Sequence, residues 1–162
     1  MADIPNAGLI LTIGCPGAGK STWAEQNLAP ATLRLERDRF RECLFGSRRA
    51  YHDSPLDPEQ RSDLVTRSML AAMQAWPTPS WAVTDTNLEF KRVYPFIQQA
   101  EGLFTLVIFP RTWEYLENVN NTRPVAHRIP PDILRDRYEV FNDPGAWWRL
   151  GKHNTIEVPQ DD

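Results

Sequence analysis

The sequence predicts an α/β protein, a parallel sheet with helices on both faces. Three observations carry that expectation. A short continuous apolar run, Leu9-Ile10-Leu11-Thr12-Ile13, stops at Gly14, as a strand buried on both faces does. Segments of strand and helix character then alternate down the chain, as βα units require. A length of 162 residues, 41% hydrophobic and 24% charged, suits one globular domain over residues 1–162.

Each element has its own signal. A Gly-rich turn runs from Gly14 to Ser21, and residues 22–28 are expected to form the first helix. Residues 31–36 are the second, brief strand, and 38–45 a helix stopped by Gly46. The polar, Pro-containing residues 47–57 are expected to be loop. Asp57-Pro58-Glu59-Gln60 then carries a complete helix start: an Asp cap, Pro at the first helical position and Gln at the third. Leu64, Val65, Met69, Ala72, Met73 and Trp76 fall on one helical face, a core stripe that ends at Pro77. Residues 81–84 are the third strand, leading into Asp85. A helix over 89–100 contains Pro95, which must kink it or delay its start. Residues 103–109 are the fourth strand, 112–120 a helix, 121–130 irregular, and 131–141 a helix with Pro131 suited to its first position. A last small strand at 155–158 completes the tail.

Composition excludes other classes. No apolar run nears the ~20 residues that a membrane span needs, so no membrane association is expected. Met1-Ala2-Asp3-Ile4-Pro5 lacks the basic and apolar regions of a secretion signal. Cys15 and Cys43 show no metal-like spacing, which makes a reduced, cytoplasmic setting the expectation. The net charge of −3 argues against a uniformly basic surface. The kind of cation is more telling: Lys and Arg total 18, and the lysines are Lys20, Lys91 and Lys152. Arginine presents a planar fork that matches phosphate oxygens. Arg34, Arg37, Arg39, Arg41, Arg48 and Arg49 form one cluster, and Arg123, Arg128, Arg135 and Arg137 a second. Glu36, Asp38 and Glu42 offset part of the first, so a solvated helix face explains it as readily as a local basic groove.

Gly14-Cys15-Pro16-Gly17-Ala18-Gly19-Lys20-Ser21 matches G-x-x-x-x-G-K-[ST] in full. An apolar strand precedes it and a helix pattern follows, the context this motif requires. Its glycines let consecutive main-chain N–H groups converge on phosphate oxygens, and the helix adds its positive N-terminal end. Lys20 is placed to reach the β- and γ-phosphates of ATP, and the Ser21 hydroxyl to ligate Mg²⁺. Cys15 inside the loop is a small filler or, alternatively, a redox switch.

A phosphate loop identifies the donor, not the reaction. In an open parallel sheet, ligands sit beyond the carboxyl ends of the strands. Asp38 follows the second strand and Asp85 ends the third. Asp38 is assigned as general base because it opens a helix within an Arg-rich segment, and phosphoryl transfer needs a group to orient the nucleophile. A plain helix cap is the alternative for Asp38, and a strand-end cap for Asp85. The irregular segment 121–130 has the make-up of a lid, with Arg123 as the cation that closes over the phosphates and Arg128 and His127 as solvent or acceptor-side groups.

Four segments in order resemble the kinase domain of bacteriophage polynucleotide 5′-kinases. They are the stretch from Leu11 to Trp23, Arg37-Asp38-Arg39-Phe40-Arg41, Asp85-Thr86-Asn87-Leu88, and Ile129-Pro130-Pro131-Asp132-Ile133-Leu134-Arg135. The resemblance runs from about Leu9 to Tyr138. It implies a kinase-type P-loop NTPase fold with a lid and a nucleotide site over Gly14 to Thr22. It also implies ATP and Mg²⁺ as cofactors, Asp38 as general base, and Arg41 on the nucleic-acid backbone. Asp85 is then an essential acid on either the metal side or the acceptor side, Thr86 and Asn87 bind the acceptor, and Arg123 is the lid arginine. The acceptor it implies is a nucleic acid, most naturally DNA.

The sequence also departs from that pattern. Glu36 stands where the family has Asn, and Arg39 where it has a second Asp. Both lie beside the acceptor. Related phage kinases phosphorylate the hydroxymethyl group of a modified pyrimidine within DNA, so the acceptor is either such a base (5-hydroxymethyluridine) or a polynucleotide 5′-hydroxyl. A small-molecule kinase acting on a nucleoside or sugar is the alternative. Phe40, Tyr51, His52, Phe90 and Tyr94 are candidates for acceptor walls or for core. Trp147-Trp148-Arg149 is a stacking platform or, as the favoured expectation, a segment docked on the domain. His52 and His153 are expected at the surface.

Overall fold

The structure is a computed structural model and describes residues 8–151 and 153–160. Met1 to Pro5, where a targeting signal was sought, and Lys152 lie outside the described residues. Five strands form one sheet in the order β2-β3-β1-β4-β5. They are β1 (Gly8–Ile13), β2 (Leu33–Leu35), β3 (Ser80–Val83), β4 (Phe104–Ile108) and β5 (Asn154–Glu157). Every neighbouring pair is parallel. The α/β expectation therefore holds.

β1 is central because it is apolar on both faces. Leu9, Ile10, Leu11 and Ile13 are at most 1% exposed, and Ile10 lies opposite Ala82 on one side and Thr105 on the other. From β1 the chain crosses to β2, returns to β3, and then leaves for β4 on the opposite side of β1. The carboxyl ends of β1 and β3 thus flank the point where the winding reverses, which is where open sheets bind ligands.

The described residues hold seven α-helices: α1 (Lys20–Asn27), α2 (Arg37–Phe45), α3 (Arg48–Asp53), α4 (Pro58–Ala75), α5 (Phe90–Gln99), α6 (Trp113–Thr122) and α7 (Pro131–Asn142). The capping box at the start of α4 forms as expected, with Asp57 accepting from the Glu59 and Gln60 N–H groups. Val65, Met69 and Met73 of the stripe are fully buried, each removal from water stabilising the fold by about 1.5–3 kcal/mol. Leu64 and Trp76 are not core: they are 39% and 37% exposed. Trp76 falls past the last turn of α4 in extended backbone, which takes it off the helical face.

Several boundaries differ from expectation. Residues 47–57 are not all loop, since α3 forms there with Ser47 accepting from the Ala50 N–H. Six residues with one buried side chain, Tyr51, are too short to display a helical period. Helix α1 starts two residues early, at Lys20, so the motif's last two residues occupy its first turn. Helix α5 continues through Pro95. The carbonyl that Pro95 leaves without an N–H belongs to Lys91, an exposed residue. Trp148 is buried and stacks on Phe141 at 5.4 Å, so this indole docks on the domain. His52 is exposed, but His153 is half-buried and stacked on Phe104 at 5.4 Å.

Candidate functional site

Strand β1 delivers its Gly-rich loop to the reversal point. Gly17 and Gly19 have φ of +90° and +91°, a region closed to most side chains. Gly17 has a second constraint: a Cβ there would meet Val119 Cγ1 at 3.3 Å and Arg123 Nη2 at 3.4 Å. The loop and the end of α6 therefore touch, and Arg123 lies on the phosphate loop itself.

Lys20 is 8% exposed and folds back on its own loop, donating from Nζ to the Gly14 carbonyl at 3.0 Å and the Cys15 carbonyl at 2.7 Å. Burial lowers its pKa from 10.5 to about 8. Cys15 and Asp85 act to hold it up, and the Arg123 charge presses it further down. Cys15 is buried, and burial raises its thiol pKa to about 11, so it is a protonated filler, with Sγ donating to the Arg137 carbonyl at 3.5 Å.

The end of β3 is stitched to the end of β1. Thr12 Oγ1 donates to the Asp85 carbonyl at 3.0 Å, and the Gly14 N–H to the Thr86 carbonyl at 3.3 Å. Asn87, at φ +50°, donates to the carbonyls of Thr12 at 3.0 Å and Val83 at 2.9 Å. Both amide hydrogens of Asn87 are thus committed to the main chain. Asp85 is left facing a pocket of about 110 Å³ lined by Arg37, Thr86, Leu88, Glu89, Arg92 and Arg137 among others.

Arg37 governs that acid. Its N–H donates to Asp85 Oδ1 at 3.2 Å, and its Nε stands 3.6 Å from Oδ2. The same guanidinium donates to Thr66 Oγ1 at 3.0 Å and the Arg92 carbonyl at 3.3 Å. Burial raises the Asp85 pKa from 3.8 to about 6; the Arg37 charge and N–H oppose this, and the nearby Asp38 charge adds to it.

Asp38 is the second residue of α2 and makes no cap, so the helix-cap alternative does not hold. Its side chain is 80% exposed and pairs with Arg41 Nη1 at 2.7 Å. Arg41 lies 5.0 Å over the Tyr51 ring, with Arg61 at 5.3 Å. Tyr51 is therefore a buried support for cations. The altered Glu36 holds Arg39 at 2.9 Å and also pairs with Arg34. Ser21 and Thr22 are exposed in the first turn of α1. Among the described residues no group of three His, Cys, Asp or Glu gathers to hold a metal. A hard cation held by nucleotide phosphates and the Ser21 hydroxyl fits these residues, whereas an all-protein cage does not. No described helix is long and apolar enough to cross a membrane.

Arg37, Glu89, Arg92 and Arg137 were not singled out as site residues from sequence. Arg37 stood in an Arg-rich run with nothing to mark it as the buried member. Glu89 and Arg92 pair one turn apart at the start of α5, at 3.0 Å, while Arg137 of α7 reaches the same carboxylate at 3.3 Å across 48 positions of sequence.

The loop after the central strand, and the acid ending the strand beside it, define a P-loop nucleotide-binding protein of kinase-like build. Residues 9–142 match the family described as AAA domain, and the chain belongs to that family. Solved structures of similar fold include Kti12 of Chaetomium thermophilum in complex with ADP-AlF3, 16% identical over 95% of this chain and 90% of that one, TM-score 0.64. A gluconokinase of Sinorhizobium meliloti is 20% identical over 98% and 86%, TM-score 0.57. The structure of a Pnkp1/Rnl/Hen1 complex matches at 20% over 77% of this chain and 42% of that chain, TM-score 0.51. At these identities the likeness is one of fold.

Proposed function

We propose that this protein is an ATP-dependent kinase that moves the γ-phosphate to a hydroxyl of a nucleic acid. The observation that carries the reading is the adjacency of two sites: a phosphate loop touched by Arg123, and an acid pocket one strand away walled by Arg37, Arg92 and Arg137. A donor site next to a pocket that holds both an acid and arginines suits transfer better than hydrolysis alone. Arginine walls suit an acceptor that carries phosphates.

The residue roles are part of the same proposal. Lys20 exchanges its loop carbonyls for phosphate oxygens. Arg123 adds a second cation to the phosphoryl in flight, where charge spreads over the equatorial oxygens. Asp38 accepts the proton of the acceptor hydroxyl as the new O–P bond forms and the bond to the β-phosphate oxygen breaks, releasing ADP. Arg41, now on Asp38, is released to an acceptor phosphate. Asp85 lines the acceptor pocket beside the loop, and the Ser21 hydroxyl would hold Mg²⁺, which would supply neutralisation of phosphate charge.

The small pocket and the fold shared with a gluconokinase favour a second reading, a kinase of a nucleoside or sugar. Labelled ATP offered with four acceptors decides. Label on an oligonucleotide with a free 5′-hydroxyl, or on a 5′-blocked duplex containing 5-hydroxymethyluracil, supports the nucleic-acid reading and names the acceptor. Label on gluconate or a free nucleoside alone moves the assignment to the small-molecule reading.

A further inference from the structure

Beside the acid pocket the surface changes character. Phe90 and Tyr94, one turn apart on α5, are 45% and 43% exposed. The helix already buries Val93, Phe96 and Ile97 on its other side. Phe90 lies 5.1 Å from Tyr94 and 5.3 Å from half-buried Trp147, ring centroid to centroid. The three side chains make a continuous aromatic shelf from α5 to the turn after α7.

The shelf and the pocket share a border. Glu89, the residue before Phe90, lines the pocket and holds Arg92 and Arg137. Lys91, 83% exposed, stands 4.0 Å from the same carboxylate. Cations therefore outnumber the carboxylate where the pocket opens onto the rings. Flat rings flanked by cations are the elements of single-strand recognition: bases stack on the rings, and phosphates pair with the cations. A sugar held in the acid pocket makes no use of rings outside it.

We infer that Phe90, Tyr94 and Trp147 stack bases of the polynucleotide strand that carries the acceptor, with Lys91, Arg92 and Arg137 along its phosphates. This rests on the nucleic-acid reading above. It adds the path of the strand: out of the pocket, past the start of α5, toward the turn after α7.

The test is anisotropy of a labelled single-stranded oligodeoxynucleotide on the full chain, beside an abasic strand of equal length. Wild type is expected to bind the base-bearing strand about tenfold more tightly. F90L with Y94L is expected to bring the two strands to parity, while F90Y, which keeps the ring, preserves the preference. Equal binding by wild type, binding of neither strand, or a preference that survives the double substitution overturns the shelf. Self-association abolished by the same substitutions also overturns it, assigning the rings to a second copy of the chain. Phosphoryl transfer is measured in parallel. Transfer with no dependence on bases overturns the shelf and leaves the kinase reading; base-dependent binding without transfer does the reverse.

Discussion

Asp85 accepts the N–H of Arg37, the first residue of α2, across 48 positions of sequence. Glu36, at the capping position, makes no side-chain cap. The acid at the end of β3 therefore does for α2 what a local cap does for other helices, and the side chain of the same Arg37 closes on it from the other side.

Breaking this pair is expected to be costly. Arg37→Met leaves Asp85 buried without its cation, a loss of about 3–5 kcal/mol. Urea unfolding reads it. Adding Asp85→Asn to Arg37→Met is expected to recover part of the loss, since the uncompensated charge is gone. Additive losses would place the two residues in separate roles.

The Asp85 pKa of about 6, against 3.8 without burial, has a stability signature. Between these values the folded state holds a proton that the unfolded state has lost. By linkage, the contribution to stability falls as pH rises from about 4 to about 6 and is flat above, a span of at most ~3 kcal/mol. The difference between wild type and Asp85→Asn across this window isolates the effect. A difference that does not change with pH contradicts it.

At pH 9 most Lys20 side chains are neutral, given a pKa of about 8. Phosphates beside Nζ favour the charged form. ATP binding at pH 9 is thus expected to take up close to one proton, and almost none at pH 7. Calorimetry in two buffers of different ionisation enthalpy measures the uptake, and Lys20→Met is expected to remove it.

Arg123 and Asp38 are expected to act on turnover rather than on binding of ATP. Arg123→Ala is expected to lower kcat by roughly 10³-fold with little change in KM for ATP. Asp38→Asn is expected to lower kcat by roughly 10²–10⁴-fold. Its pair with Arg41 is solvent-facing, so stability is expected to change by less than ~1 kcal/mol. Steady-state kinetics with a melting curve on each variant checks both.

Asn87 separates a structural from an acceptor role. Asn87→Ala strips two buried carbonyls of their donor and places Ala at φ +50°. A loss of roughly 2–4 kcal/mol is expected. A variant as stable as wild type but impaired toward acceptor would show that the amide serves the substrate instead.

The phosphate loop was legible in full, because its function depends on main-chain geometry that glycine, lysine and serine specify over eight adjacent residues. The strand preceding it was legible from a run of five residues, Leu9 to Ile13, of which four are apolar. The capping box of α4 was legible for the same reason: all its partners lie within four positions. Helix α3 escaped because six residues carry no period, and the width of the α4 stripe escaped because Leu64 and Trp76 are apolar wherever they point.

Local sequence thus determined the strands, every α-helix but α3, their alternation and the nucleotide loop. Only the tertiary structure decided that Arg37 is the arginine buried against Asp85, and that Arg123 rests on Gly17. The same packing borders the pocket with Glu89, Arg92 and Arg137. Apart from the Glu89–Arg92 pair at the start of α5, each of these relationships joins residues far apart in the chain. Sequence specifies the charge and shape of each partner, but which charges meet is settled when the helices pack on the sheet and leave some in water and others without it.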